Sequence, residues 1–67
     1  MVIMNGNIKV GTMLLLNENI LICIDTVEDE KYGTRYVFDN GLKWTKSNII
    51  SNIAKCMING NKWAIRY

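Results

Sequence analysis

The sequence predicts a small, mainly β protein, an antiparallel barrel or meander built as a single domain over residues 1–67. Three observations carry that reading. Asn-Gly dipeptides stand at Asn5-Gly6, Asn40-Gly41 and Asn59-Gly60, and both residue types tolerate the positive φ that tight hairpin turns require. Polar breaks at Asn17-Glu18-Asn19 and over residues 28–33 fall between them, so turns recur roughly every ten residues, the spacing of short antiparallel strands. The chain has 67 residues, 49% of them hydrophobic. A chain of that size buries about 60% of its unfolded surface, enough for one core and no second domain.

Residues 8–16 read as a first strand. Ile8, Val10, Thr12, Leu14 and Leu16 alternate with Lys9, Gly11, Met13 and Leu15, and Gly11 is expected at a bulge or bend. In the next run Ile20, Ile22 and Ile24 share one face, while Leu21, Cys23 and Val27 occupy the other. A strand apolar on both sides is expected to be central and covered on both faces.

The hairpin that follows is the expected centre of the fold. Residues 34–38 and 42–45 flank the turn Asp39-Asn40-Gly41. Thr34, Tyr36 and Phe38 oppose Arg35, Val37 and Asp39, and Leu42 and Trp44 alternate with Lys43 and Thr45. Each strand thus has a dry and a wet side, and Phe38 and Trp44 are the expected core pair.

Residues 47–58 read two ways. Asn48, Asn52, Lys55 and Asn59 fall on one helical stripe, with Ile49, Ile50, Ile53, Ala54 and Met57 on the other side, which predicts a short helix over about 48–58 capped by Ser47 and ended by Gly60. Against it, four of the eleven residues 48–58 are isoleucine and two are asparagine, both weak helix formers. The alternative is a single 3₁₀ turn leading into a strand. Residues 61–67 are expected to close the sheet, Trp63, Ile65 and Tyr67 alternating with Lys62, Ala64 and Arg66.

Val10-Gly11-Thr12-Met13-Leu14, the long run 20–30 entering a polar loop, the hairpin Tyr36-Val37-Phe38-Asp39-Asn40-Gly41 and the step Thr45-Lys46-Ser47-Asn48-Ile49 together resemble an SH3-like small β-barrel of the Tudor or KOW type over residues 8–53. The resemblance implies a ligand groove rimmed by the acidic loop, where acids select basic partner segments. If the tail pairs with residues 1–4, it protects an otherwise open sheet edge.

Catalysis is not expected. The chain has no histidine, the usual general base near neutral pH. Ser47 and Ser51 lack a nucleophile-elbow context, and no glycine-rich phosphate loop is present. Cys23 and Cys56 lie far apart without a paired-thiolate motif, so two buried thiols in a reducing compartment are expected rather than a metal site or a disulfide. The acids Asp25, Glu28, Asp29 and Glu30 read as a solvated loop more than as paired catalytic carboxylates. No metal or cofactor is expected. The apolar runs at residues 1–4 and 13–16 are far shorter than a membrane span or a signal peptide core, so a cytoplasmic location is expected.

Binding is better provided for, by six aromatics: Tyr32, Tyr36, Phe38, Trp44, Trp63 and Tyr67. Partly exposed tyrosine and tryptophan supply contact area at low entropic cost. The leading expectation is a non-catalytic module that binds and modulates a larger protein through Glu28, Asp29, Glu30, Tyr32, Tyr36 and Trp63. A net charge of only +2 makes nucleic acid the alternative, through a basic and aromatic face of Arg35, Lys43, Trp44, Lys46, Lys62 and Arg66. A homo-oligomer is a third expectation. Isoleucine, asparagine and lysine supply 25 of the 67 residues. Their AT-rich codons suggest a bacteriophage or mobile-element product.

Overall fold

The structure, a computed structural model, describes residues 7–67; the Asn5-Gly6 turn and the expected pairing of residues 1–4 lie outside the described residues. The elements are β1 (Met13–Leu16), β2 (Asn19–Asp29), β3 (Gly33–Phe38), β4 (Lys43–Trp44), α1 (Lys46–Ile58) and β5 (Trp63–Arg66). The five strands form one sheet in the order β4-β3-β2-β1-β5, and every neighbouring pair is antiparallel. The mainly β expectation holds, and of the two readings for residues 47–58 the helix is the one adopted. The sheet is open, which corrects the barrel alternative. Its edges, β4 and β5, are joined by α1, and that helix lies over one face against β1, β3, β4 and β5. The helix covers the face whose edges would otherwise have to meet.

The first strand is shorter than the alternation of residues 8–16 suggested. Gly11, at φ 95°, sits third in a turn in which the Thr12 amide donates to the Lys9 carbonyl (3.0 Å), the position where a type II turn needs positive φ. The Thr12 hydroxyl accepts from the Lys9 amide at 3.0 Å and is fully buried. Gly11 therefore makes a turn, not a bulge within a strand. The bulge falls instead on β2, where the pairing to β3 slips between Cys23 and Asp25. It shifts the alternation, so that Asp25 and Val27 stand on the same side as Ile22 and Ile24. Glu28 and Asp29 belong to β2, leaving Glu30, Lys31 and Tyr32 as the turn.

Thr45, not Ser47, caps the helix. Its hydroxyl accepts from the Asn48 amide (3.2 Å), and its own amide donates to the Asn48 side-chain oxygen (3.0 Å). This reciprocal pair satisfies two of the orphan donors that begin any helix. At the other end the Gly60 amide donates to the Met57 carbonyl and the Asn61 amide to that of Cys56, a Schellman closure with Gly60 at φ 70°.

The core lies between α1 and the covered sheet face. Leu14, Leu16, Leu21, Cys23 and Phe38 meet Ile49, Ile53 and Cys56, and Ile8 packs with them. Each large side chain buried in this way contributes about 1.5–3 kcal/mol. Trp44 stands edge-on to Phe38, with centroids 5.6 Å apart and planes at 66°.

Candidate functional site

Three surfaces on this frame carry chemistry: the tip of the β2–β3 hairpin, the outer sheet face and a groove on the helix side. At the tip, the Asp29 carboxylate accepts from the Lys31 and Tyr32 amides at 2.8 and 3.2 Å and stands 3.7 Å from the Arg35 guanidinium. Those two N–H groups, with the Arg35 charge behind them, hold the Asp29 carboxyl below the usual carboxylate range. Lys31 and Arg35 both approach the Tyr32 ring, at 5.2 and 5.7 Å from its centroid, and Glu28 accepts from the Thr34 hydroxyl at 3.0 Å. Two of the tip's acids, Glu28 and Asp29, are thus engaged by their own hairpin. Among the described residues no three of histidine, cysteine, aspartate or glutamate come together to hold a metal ion.

The tip does not unite the residues expected to bind protein. Glu28, Asp29, Glu30 and Tyr32 gather there, but Tyr36 points to the covered face and packs against the core. Trp63 pairs with Leu16 at the far end of the sheet, about 30 Å away along β2. The basic and aromatic set divides as well. Register places Arg35, Lys43 and Arg66 on the outer face with Val37 and Met13. Trp44 lies on the opposite face beside Phe38, and Lys46 begins the helix. Lys62 precedes β5, its carbonyl accepting from the Asn17 amide at 2.7 Å.

The outer face is the surprise of β2. Leu21 and Cys23 are buried under the helix side, but Ile20 and Ile24 are 57% and 55% exposed. The expectation that β2 is covered on both faces is corrected: β2 is central in the sheet, but α1 is the one layer packed on it among the described residues. Ile22 and Val27 are exposed too, with Met13, Leu15 and Val37 half-buried alongside. Met13, Leu15, Ile20, Ala64 and Arg66 enclose a shallow depression of about 250 Å³.

No family model, no curated protein and no solved structure matches the chain. Function must therefore be argued from these surfaces.

The groove on the helix side holds about 490 Å³ and runs between the β1–β2 turn, the β3–β4 turn and the C-terminal half of α1. Leu16, Leu21, Leu42 and Cys56 form its apolar floor with Trp44. Its walls carry six asparagines: Asn17, Asn19, Asn40, Asn52, Asn59 and Asn61. Lys55 is the one charged residue in its lining among the described residues. Both thiols are free and buried. Burial chiefly, with the Asp25 charge adding to it, pushes the Cys23 thiol up, and the thiol donates to the Asp25 carbonyl at 3.4 Å.

Proposed function

We propose that the chain is a non-catalytic binding module that docks on a larger protein through the outer face of its sheet. One observation carries this reading: β2 is apolar on both sides, and the described residues cover only the side of Leu21 and Cys23. A contiguous aliphatic surface left open to water is the usual mark of an interaction site. The depression beside Ile20 offers the pocket that an anchoring side chain fills.

The rim selects the occupant. Arg66 stands beside Met13 and Lys43 beside Val37, while Arg35 is already paired with Asp29. Asp25 stands among the central rows, and the Asp39 carboxylate stands beside Ile22, accepting from its amide at 3.3 Å. With Arg66 and Lys43 set against Asp25 and Asp39, the rim is two-signed and favours an aliphatic segment flanked by residues of both charges. The strand order, with a long β2 shared between two pairings, supports an SH3-like kinship in open form. The isoleucine, asparagine and lysine bias supports a bacteriophage or mobile-element regulator acting in the cytoplasm.

The test is a photoreactive residue at Ile22 in the full chain, crosslinked in lysate of the source cell and mapped by mass spectrometry. The expected product is one protein, joined through an aliphatic peptide flanked by residues of both charges and lost in the Ile20→Glu/Ile24→Glu variant. Crosslinks to a second copy of the chain, to its own residues 1–6, or to nothing at all would each reject the reading.

A further inference from the structure

We infer that the asparagine-lined groove is a second binding site, one that takes a nucleobase with its attached phosphate. It lies on the opposite side of the sheet from the docking face and does not depend on it. Among the described residues, six of the eight asparagines line this one groove, although they come from three separate parts of the sequence. The β1–β2 turn brings Asn17 and Asn19, the β3–β4 turn brings Asn40, and the end of α1 with the segment after it brings the rest.

Their hydrogen bonding leaves capacity for a ligand. The Asn40 side-chain oxygen is committed to the Leu42 amide (3.1 Å), which leaves its NH₂ group as a donor. The Asn52 NH₂ group donates to the Asn48 carbonyl (2.8 Å), which frees its oxygen as an acceptor. Asn19 and Asn61 make no side-chain hydrogen bond to another described residue, so each carries both functions. A carboxamide offers a donor and an acceptor side by side, the pattern that pairs bidentately with the edge of a base such as adenine.

The rest of the lining points to the same chemistry. Trp44 supplies an aromatic surface of the sort on which unstacked bases rest, and its edge-on contact with Phe38 fixes the ring. Lys55, with no carboxylate in the lining to compete for it, favours an anion such as phosphate. The volume of about 490 Å³ lies within the range of small-ligand sites. A base bearing one phosphate can come from a free nucleotide or from an unpaired stretch of nucleic acid.

Titration of the full chain, labelled with nitrogen-15, against adenosine monophosphate and separately against an eight-nucleotide oligo(dA) at low salt distinguishes these sources. The expected result is movement of the Asn19, Asn52 and Asn61 side-chain NH₂ signals and of the Trp44 indole N–H, with Arg35, Lys43 and Arg66 unmoved. Response to the mononucleotide identifies a free nucleotide; response to the oligomer alone identifies a single strand. The Asn19→Ala/Asn61→Ala variant, changed at side chains outside the core, is expected to bind about tenfold more weakly or worse. The inference is overturned if neither ligand moves the groove signals at millimolar concentration. It is equally overturned if ribose 5-phosphate moves them as strongly as the nucleotide, or if the shifts map to the outer face.

Discussion

Ile22 and Cys23 are neighbours on β2, yet Cys23 is 1% exposed and Ile22 is 38% exposed. The alternation of a strand puts them on opposite faces, and only the Cys23 face meets the helix. Stability should divide along the same line. Leu14→Ala, in the fully buried set, is expected to cost about 2–5 kcal/mol, whereas Ile20→Thr or Ile24→Thr should stay within about 0.5 kcal/mol of the parent, as surface changes do. Urea denaturation of the three variants checks this. A loss of more than about 2 kcal/mol at Ile24 would mean that its face is covered within the chain.

This division also marks what the sequence could and could not disclose. The turn at Asn40-Gly41 was legible because asparagine and glycine are tolerant of unusual backbone geometry, and the hairpin around it stands where its residues predict. The Phe38 amide donates to the Leu42 carbonyl, and of the three residues between them Gly41 alone takes positive φ, at 88°, its amide closing a turn on the Phe38 carbonyl. The cover on β2 was not legible, because periodicity reports that both faces are apolar and says nothing of how many layers a short chain can supply. The groove was half legible. Asn52, Lys55 and Asn59 share a helical stripe, but their meeting with Asn17, Asn19 and Asn40 depends on how α1 crosses the sheet.

The cap of α1 separates two readings of the helix start. Thr45→Ala removes the acceptor for the Asn48 amide and should destabilise the protein by about 1 kcal/mol. Ser47 is exposed inside the first turn, so Ser47→Ala should change little. Thermal unfolding by circular dichroism measures both; the reverse order would place the helix start two residues later.

The two thiols should react at different rates. Cys23 is under the helix and its pKa is raised chiefly by burial, while Cys56 borders the groove. Iodoacetamide at neutral pH is expected to modify Cys56 first and Cys23 only on unfolding, which peptide mass spectrometry reads directly. The raised thiol also sets a sign. The unfolded chain releases the Cys23 proton at roughly pH 8.5, before the folded chain does, so this contribution to stability is whole below that pH and declines as pH rises through the folded value.

Asp29 carries the opposite sign. Its carboxylate is held by the Lys31 and Tyr32 amides and by Arg35, so the folded state keeps the charge to lower pH than the unfolded chain, whose ordinary value is about 3.9. The unfolded state takes up the proton first, and the ordering of the tip is therefore full above that value and lost as pH falls through the folded pKa. The site is solvent-exposed, so the effect is local. Amide signals of Lys31 and Tyr32 should titrate together below pH 4, and Asp29→Asn should abolish that titration. Because Arg35 binds Asp29 and lies over the Tyr32 ring, the Tyr32 ring signals should move in the same step. Movement of the amides without the ring would show that Arg35 holds its place over Tyr32 without the Asp29 charge.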